Sequence, residues 1–175
     1  MQEKIVVLDF GSKTTQLIAR RIRELKAFCE IYPYNKFPEN TDGIKGIILS
    51  GSPYSVYDKN AFDFDLTLVR KKFPLLGICY GAQWIVHKAG GKIEASKNRE
   101  YGKAFFESVN TNDPLFKGFN PLAPVWMSLG DSITRLPAEF EKIALTADIP
   151  VAAFKARGEA TWGVQFHPEA LQTEE

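Results

Sequence analysis

Residues 74–83 read PLLGICYGAQ, and this short segment passes from one kind of secondary structure to another. The apolar run Leu75–Ile78 is typical of a buried strand, and the apolar residues at 84–86 predict a helix that ends at Gly90. A cysteine between a strand and a helix lies where unpaired N–H groups and the helix dipole favour the thiolate. The segment therefore predicts a nucleophile elbow with Cys79 as the nucleophile. The alternative is that Cys79 is a small buried residue at the end of a strand.

The composition is that of one globular domain spanning residues 1–175. Of the residues, 45% are hydrophobic and 25% are charged, and the formal net charge of +1 argues against a nucleic-acid-binding surface. No apolar run approaches the roughly 20 residues of a membrane span, and the N-terminus lacks the pattern of a signal peptide. The two cysteines form no disulfide framework, and with the two histidines they make no short-spaced zinc motif. We therefore expect a cytoplasmic protein with no membrane or nucleic-acid partner and no metal.

The N-terminal part of the chain predicts a parallel sheet. The β-branched run Lys4–Phe10 is typical of a central strand, and a helix with one apolar face follows, which Thr14 or Thr15 can cap. Residues Phe28–Tyr32 then read as a second strand. A strand, a helix and a strand in succession form a βαβ unit, so the two strands are expected to be parallel and covered by helices.

The pattern changes after the elbow segment. Before it, Gly46–Ser50 predicts a third strand, and residues 62–72 predict a helix. After it, the predicted strands are short and more antiparallel, at residues 92–94, 102–110, 141–155 and 161–166. The expected fold is therefore α/β, with a mostly parallel central sheet, helices on both faces and a small antiparallel sheet.

A cysteine nucleophile needs a base, and the base needs a group that orients it. His87 lies eight residues after Cys79 on the same predicted helix, which separates them by about 12 Å along the axis. His167 follows the last predicted strand and can approach Cys79, because the carboxyl ends of parallel strands meet at one edge of a sheet. Pro168 favours an extended chain, so Glu169 can lie beside His167. The sequence His-Pro-Glu alone is also typical of a surface turn. Because it follows a predicted strand and the chain also contains the predicted elbow, it predicts a triad of Cys79, His167 and Glu169.

Acyl transfer also needs hydrogen-bond donors for the oxyanion. The backbone N–H of Tyr80, directly after the nucleophile, is one candidate. A second candidate is the loop Gly51-Ser52 after the third strand, although this segment alone would be read as an ordinary turn.

Three segments together resemble the class I, triad-type glutamine amidotransferases: GICYGAQ at 77–83, LSGSP at 49–53 and GVQFHPE at 163–169. A closer resemblance is to the amidotransferase domains of GMP synthases, and it depends on four further segments. They are LDFGS at 8–12, TQLIARRIRE at 15–24, REYG at 99–102 and VWMS at 125–128. The resemblance implies a flavodoxin-like fold over nearly the whole chain.

The resemblance also implies a reaction. The Cys79 thiolate attacks the side-chain amide of glutamine, His167 protonates the departing ammonia, Glu169 orients His167, and the N–H groups of Tyr80 and Ser52 hold the oxyanion. Water then hydrolyses the γ-glutamyl thioester. The residues implied to bind glutamine are Gly51, Gln83, Ser128, Leu129, Gly130 and Asp131. Ammonia would pass to an ATP-pyrophosphatase (synthetase) domain or subunit that converts XMP to GMP. No cofactor is expected in this domain, and ATP and Mg²⁺ are expected in that partner.

The chain departs from the family pattern at three positions. Ser52 stands where a second glycine is usual, Leu129 where His is usual, and Lys13 where Gln is usual. Ser52 and Leu129 leave open a catalytically weak regulatory or binding module of the same fold, and the partner could also supply another acceptor. A peptidase is a more remote alternative, because the segments REYG and DFGS do not suit it. Because the chain stops six residues after Glu169, an excised domain of a two-domain enzyme is favoured over a separate subunit.

Overall fold

The computed structural model describes residues 2–59 and 61–170, with the main chain alone at 97–100. The strands are β1 (Lys4–Asp9), β2 (Cys29–Pro33), β3 (Ile44–Leu49), β4 (Leu75–Ile78), β5 (Lys92–Ala104), β6 (Phe106–Val109), β7 (Val125–Arg135), β8 (Phe140–Thr146), β9 (Ala153–Ala156) and β10 (Thr161–Val164). The helices are α1 (Thr15–Glu24) and α2 (Tyr80–Lys88), and single 3-10 turns lie at Leu66–Leu68 and Pro114–Phe116. None of these described helices has the length and apolar character needed to cross a membrane.

Eight of the described strands form one sheet in the order β2-β1-β3-β4-β10-β9-β8-β6. The strands from β2 to β10 in this order run parallel, and β9, β8 and β6 continue the sheet antiparallel. A separate two-stranded sheet pairs β5 antiparallel with β7. The expected α/β architecture with a small antiparallel sheet is therefore confirmed.

The two helices cover opposite faces of the large sheet. Successive residues of a strand point to opposite sides, and β1 shows the consequence. Val6 and Leu8 belong to the core cluster that contains Trp84 of α2, whereas Val7 belongs to the cluster that contains Ile18 of α1. Because both faces are buried, the central strands are continuous apolar runs in the sequence.

The helix predicted over residues 62–72 is wrong, because this segment holds only the 3-10 turn at Leu66–Leu68. Phe64 and Leu66 are buried while Asp63 and Asp65 are exposed. This alternation suits an extended chain, not a helix. The side chain of Asp65 also accepts a hydrogen bond from the N–H of Thr67 at 3.0 Å, a local contact that competes with helix formation.

The region after α2 also differs from expectation. The short predicted strand at 92–94 extends to residue 104 as β5. Its partner β7 covers residues 125–135, where the sequence predicts a loop at 128–131. Val125, Met127 and Leu129 are fully buried, and Trp126 and Ser128 are only partly buried. The period of two was therefore present in the sequence as a strand signal.

The carboxyl ends of β1, β3, β4 and β10 lie side by side because these four strands are consecutive and parallel in the sheet. The segments that follow them begin at Phe10, Ser50, Cys79 and Gln165. In open α/β sheets this edge is where ligands bind. The topology therefore brings together at one edge the segments that carry the predicted functional residues.

Candidate active site

Cys79 lies between β4 and α2, as the sequence predicts. Its main chain has φ 53° and ψ −105°, a conformation that non-glycine residues rarely adopt and that costs on the order of 1–3 kcal/mol. Two hydrogen bonds hold this turn. The Cys79 N–H donates to the Val164 carbonyl at 2.8 Å, and the Cys79 carbonyl accepts from the Gln83 N–H at 3.0 Å. The neighbouring strand and helix therefore stabilise a strained turn that leaves the cysteine half-buried at the N-terminus of α2.

Two glycines let the elbow pack tightly against the sheet. A Cβ at Gly77 would lie 2.6 Å from the main-chain nitrogen of Ala82. A Cβ at Gly81 would lie 2.6 Å from the carbonyl oxygen of Leu49 in β3. Real Cβ atoms do not approach main-chain atoms this closely, so both positions require glycine for the observed geometry.

His167 and Glu169 lie beside each other at the end of β10. The His167 N–H donates to the Trp126 carbonyl at 2.9 Å, which ties this segment to β7. The ring nitrogen Nδ1 of His167 is 3.3 Å from Oε2 of Glu169 and also 3.3 Å from Oε1. Glu169 is 3% exposed and His167 is 9% exposed. A buried carboxylate needs a charged or hydrogen-bonded partner, and the imidazole supplies one.

The ring of His167 also interacts with the side chain of Cys79. Burial alone would lower the pKa of His167, but hydrogen bonds and charge interactions with Cys79 and Glu169 outweigh it and raise this pKa to about 10. Gly51 lies close to both residues: a Cβ built there would be 3.6 Å from Cε1 of His167 and 3.8 Å from Cβ of Cys79. The structure therefore brings together Cys79, His167, Glu169 and the loop at Gly51.

The two predicted oxyanion donors lie at the ends of adjacent strands. The hydroxyl of Ser50 accepts from the Phe10 N–H at 2.8 Å and donates to the Gly51 carbonyl at 2.9 Å. Because a trans peptide places its C=O and N–H on opposite edges, the Ser52 N–H points away from Ser50. Tyr80 is the first residue of α2, where N–H groups have no partner within the helix. Tyr80 directly follows Cys79, and Gly51, the neighbour of Ser52, lies close to Cys79.

The side chains of Tyr80 and Ser52 each form a hydrogen bond with the main chain of a loop. Burial raises the pKa of Tyr80 to about 12, so its hydroxyl stays protonated and donates to the Phe62 carbonyl at 3.2 Å. The hydroxyl of Ser52 accepts from the Tyr54 N–H at 3.2 Å. The Ser52 side chain, absent in a glycine, therefore stabilises the turn that follows it.

Gln83, predicted to bind glutamine, is 4% exposed on α2. Its side-chain nitrogen donates to the Asp131 carbonyl at 3.1 Å and to Oε1 of Gln165 at 3.2 Å. Gln165 in turn donates through Nε2 to the Cys79 carbonyl at 3.4 Å. These contacts link the elbow to β7, and both of the donor hydrogens of Gln83 are used within the protein.

The predicted binding residues 128–131 lie within strand β7. The carbonyl of Ser128 is 3.9 Å from Sγ of Cys79, so this strand borders the site. Leu129 is 1% exposed and its side chain packs in the core with Met127. Gly130 is exposed and Asp131 is partly buried. A contact between glutamine and Leu129 would therefore use the main chain of Leu129.

Sequence interpretation assigned no role at the site to Gln165 or Thr14. Gln165 is two residues before His167, and the period of two in an extended chain was a signal that both face the elbow. The hydroxyl of Thr14 donates to Oε2 of Glu169 at 2.8 Å. Nothing in the local sequence indicates this contact, because the two residues are 155 positions apart.

His87 lies away from this site, as expected. It is in the last turn of α2, and its ring packs edge-on against Tyr57 with centroids 5.0 Å apart. Burial and the neighbouring Lys88 lower its pKa. Within the described part of the chain, no group of three or more His, Cys, Asp or Glu side chains is arranged to hold a metal ion.

Comparison with known proteins identifies the family. A sequence model of the class-I glutamine amidotransferases matches residues 6–175, and the chain belongs to that family. The resemblance inferred from the motifs is confirmed. Among its relatives is the glutamine-hydrolysing GMP synthase of Porphyromonas gingivalis, which is 61% identical over 175 residues, or 100% of this chain and 35% of the relative. A GMP synthase of Bacteroides thetaiotaomicron is 56% identical over the same length, or 34% of that relative.

A solved structure from Thermoplasma acidophilum, of a protein provisionally described as one subunit of a GMP synthase, is similar over nearly the whole fold. The TM-score is 0.87 at 31% identity, with 99% of this chain and 88% of that chain covered. The chain spans about a third of the length of the two GMP synthases and most of the Thermoplasma acidophilum protein.

Proposed function

We propose that this chain releases ammonia from the side-chain amide of glutamine and supplies it for the synthesis of GMP. The observation that supports this most directly is the contact of Cys79 with His167, with the carboxylate of Glu169 3.3 Å behind the ring. Nucleophilic acyl transfer by a cysteine requires a histidine that transfers protons and a carboxylate that orients the histidine. Membership of the class-I amidotransferases gives the reaction class.

The first half of the reaction breaks the C–N bond of the amide. The raised pKa of His167 keeps its ring protonated at neutral pH, so the ring carries the proton that the departing nitrogen needs. The sulfur attacks the amide carbon, and the N–H groups of Tyr80 and Ser52 stabilise the resulting oxyanion. His167 then gives its proton to the departing nitrogen, which leaves as ammonia, and a γ-glutamyl thioester remains on Cys79.

The second half returns the site to its starting state. His167, now neutral, accepts a proton from water, whose oxygen attacks the thioester carbon. The C–S bond breaks, glutamate leaves, and the thiolate and imidazolium pair is restored. In both halves Glu169 holds Nδ1 of the ring so that the other nitrogen faces the sulfur.

The acceptor of the ammonia is inferred from the relatives. The chain corresponds to about a third of glutamine-hydrolysing GMP synthases, which indicates a further module in those proteins. We propose that an ATP-pyrophosphatase module, as a domain or a subunit, binds ATP, Mg²⁺ and XMP and uses the ammonia in the cytoplasm. Glutamine would be held beside the elbow by the main chain of β7 and by Gly51.

A catalytically weak module of the same fold is the second candidate, and Ser52 is the residue that favours it. The structure supplies a local reason for this serine, because its hydroxyl accepts from the Tyr54 N–H. The N–H of Ser52 is unaffected by the change of side chain. The enzyme therefore remains the better supported function.

The test uses the chain in the presence of a glutamine-directed alkylator and, separately, of glutamine. Cys79 should be alkylated and Cys29 spared, because Cys29 is 3% exposed and burial raises its pKa. Cys79→Ala should abolish glutamate formation, and Cys29→Ala is the matched control that should keep it. Glutamine turnover in Cys79→Ala, or equal labelling of both cysteines, would contradict the mechanism.

A second experiment tests the acceptor of the ammonia. The chain is combined with the ATP-pyrophosphatase partner, ATP and Mg²⁺, and glutamate release from glutamine is measured. Addition of XMP should accelerate this release, and addition of UTP should not.

A further inference from the structure

Thr14 occupies the N-cap position of α1, where a threonine side chain ordinarily accepts a hydrogen bond from its own helix. In this structure it makes no such capping bond. Its hydroxyl instead donates to Oε2 of Glu169 at 2.8 Å. The first helix of the chain therefore contacts a carboxylate close to the opposite end of the sequence.

The direction of this hydrogen bond is determined by its neighbours. The hydroxyl of Ser12 lies 2.9 Å from that of Thr14, and it also accepts from the Thr14 N–H at 3.1 Å. An ionised carboxylate can only accept, so the one hydroxyl proton of Thr14 goes to Glu169. Ser12 must then be the donor to Thr14. The three groups form a chain of hydrogen bonds that all point toward Glu169.

A second contact from α1 holds the main chain of the same residue. Nε of Arg21 donates to the Glu169 carbonyl at 3.1 Å. Arg21 is seven residues after Thr14, which is about two helical turns, so both side chains lie on one face of α1. One helix face therefore fixes both the side chain and the main chain of Glu169.

The carboxylate position matters because Oε2 has two partners. It accepts from Thr14, and it lies 3.3 Å from Nδ1 of His167. Without the hydroxyl of Thr14, Oε2 would lose one of its two partners and the carboxylate group could turn away from Nδ1 of His167. The ring of His167 would then lose its fixed orientation toward Cys79.

We propose that Thr14 is a positioning residue of the glutamine-hydrolysing reaction, acting through Glu169 on the orientation of His167. This inference depends on the proposed function, because it assigns Thr14 a task only if Glu169 orients the catalytic histidine. It predicts an effect on the chemical step and none on glutamine binding, since Thr14 contacts Glu169 and Ser12 and lies behind the reacting groups.

The experiment compares Thr14→Val, which keeps the shape and removes the hydroxyl, with Thr14→Ser, which keeps the hydroxyl. Glutamate release should show kcat lowered about 10- to 100-fold in Thr14→Val with KM within about twofold. Thr14→Ser should retain at least about a third of the parent kcat. If Thr14→Val does not fold, Thr14→Ala gives the same comparison, because the side chain makes no capping bond that alanine would remove.

A double-mutant cycle tests whether Thr14 acts through Glu169. In a Glu169→Gln background, Thr14→Val should change kcat by less than about twofold. Equal loss in Thr14→Ser and Thr14→Val, an undiminished effect in the Glu169→Gln background, or an unchanged kcat in folded Thr14→Val would each overturn the inference. Failure of the proposed function has a separate signature, which is glutamine turnover that survives Cys79→Ala.

Discussion

Replacing Glu169 by glutamine removes one charge from the site and almost no volume. In the structure, opposite unit charges on His167 and Glu169 lie 3.3 Å apart, and at an effective dielectric constant of about 20 they attract by about 5 kcal/mol. Burial keeps solvent from replacing this interaction, because Glu169 is only 3% exposed. Glu169→Gln should therefore lower the pKa of His167 substantially from its value of about 10.

The kinetic effect follows from the same interaction. Each 1.36 kcal/mol corresponds to about a tenfold change in rate. A loss of about 5 kcal/mol can therefore lower kcat by several thousandfold at most. Since the site can relax partly around the amide, we expect kcat to fall by less than this limit, about 10²- to 10³-fold.

Glutamate release from glutamine measures this effect, with protein folding checked by circular dichroism. Glu141→Gln is the matched control, because Glu141 lies on β8 with its side chain 49% exposed and pairs only distantly with Arg157 at 3.7 Å. The control should leave kcat unchanged. A Glu169→Gln protein that folds normally and keeps kcat within about threefold would refute the assignment of Glu169 as the group that orients His167.

Two further predictions concern stability. Gly81→Ala should lower the free energy of unfolding by up to about 2 kcal/mol. The helix gains about 1 kcal/mol from alanine, but forcing a Cβ to within 2.6 Å of a main-chain oxygen adds about 1–3 kcal/mol of strain. Thermal unfolding measures the change, and Gly130→Ala, where nothing lies within 4 Å of the added Cβ, is the control that should leave it near zero. Folding raises the pKa of His167 from 6.5 to about 10, so the stability that its proton contributes is fully present below pH about 6.5 and is lost as the pH rises toward 10. Urea unfolding between pH 6.5 and 10 should show the free energy of unfolding falling with pH in the unmodified protein and falling less in His167→Asn. Equal dependence on pH in the two proteins would contradict this prediction.

Much of the site could be predicted because each part of it has a local signal. The glycine-flanked cysteine between an apolar run and a helix indicates the elbow, and Pro168 with Glu169 indicates the extended segment beside His167. Parallel strands then bring these distant segments to one edge of the sheet. The local patterns and the topology agree, which is why the positions of Cys79 and His167 followed from the sequence.

The contacts that could not be predicted depend on tertiary packing. Thr14 reads as a helix cap, and only the folded chain shows that its hydroxyl is directed to Glu169. The segment at 62–72 resembles a helix in composition. Phe64 and Leu66 are nevertheless both buried in the core, and residues two positions apart share a side only in an extended chain. Its position in a motif predicts that Leu129 binds glutamine, but its side chain lies in the core because it shares the buried face of β7 with Val125 and Met127.

The most direct test of the central claim is an NMR titration of the two histidine rings. His87 serves as the internal reference, because burial lowers its pKa and it lies away from Cys79. The account predicts that the ring of His167 titrates near pH 10 in the parent and at clearly lower pH in Cys79→Ala. A His167 ring that titrates near its ordinary value of 6.5, and equally in both proteins, would show that the imidazole and the thiol do not interact.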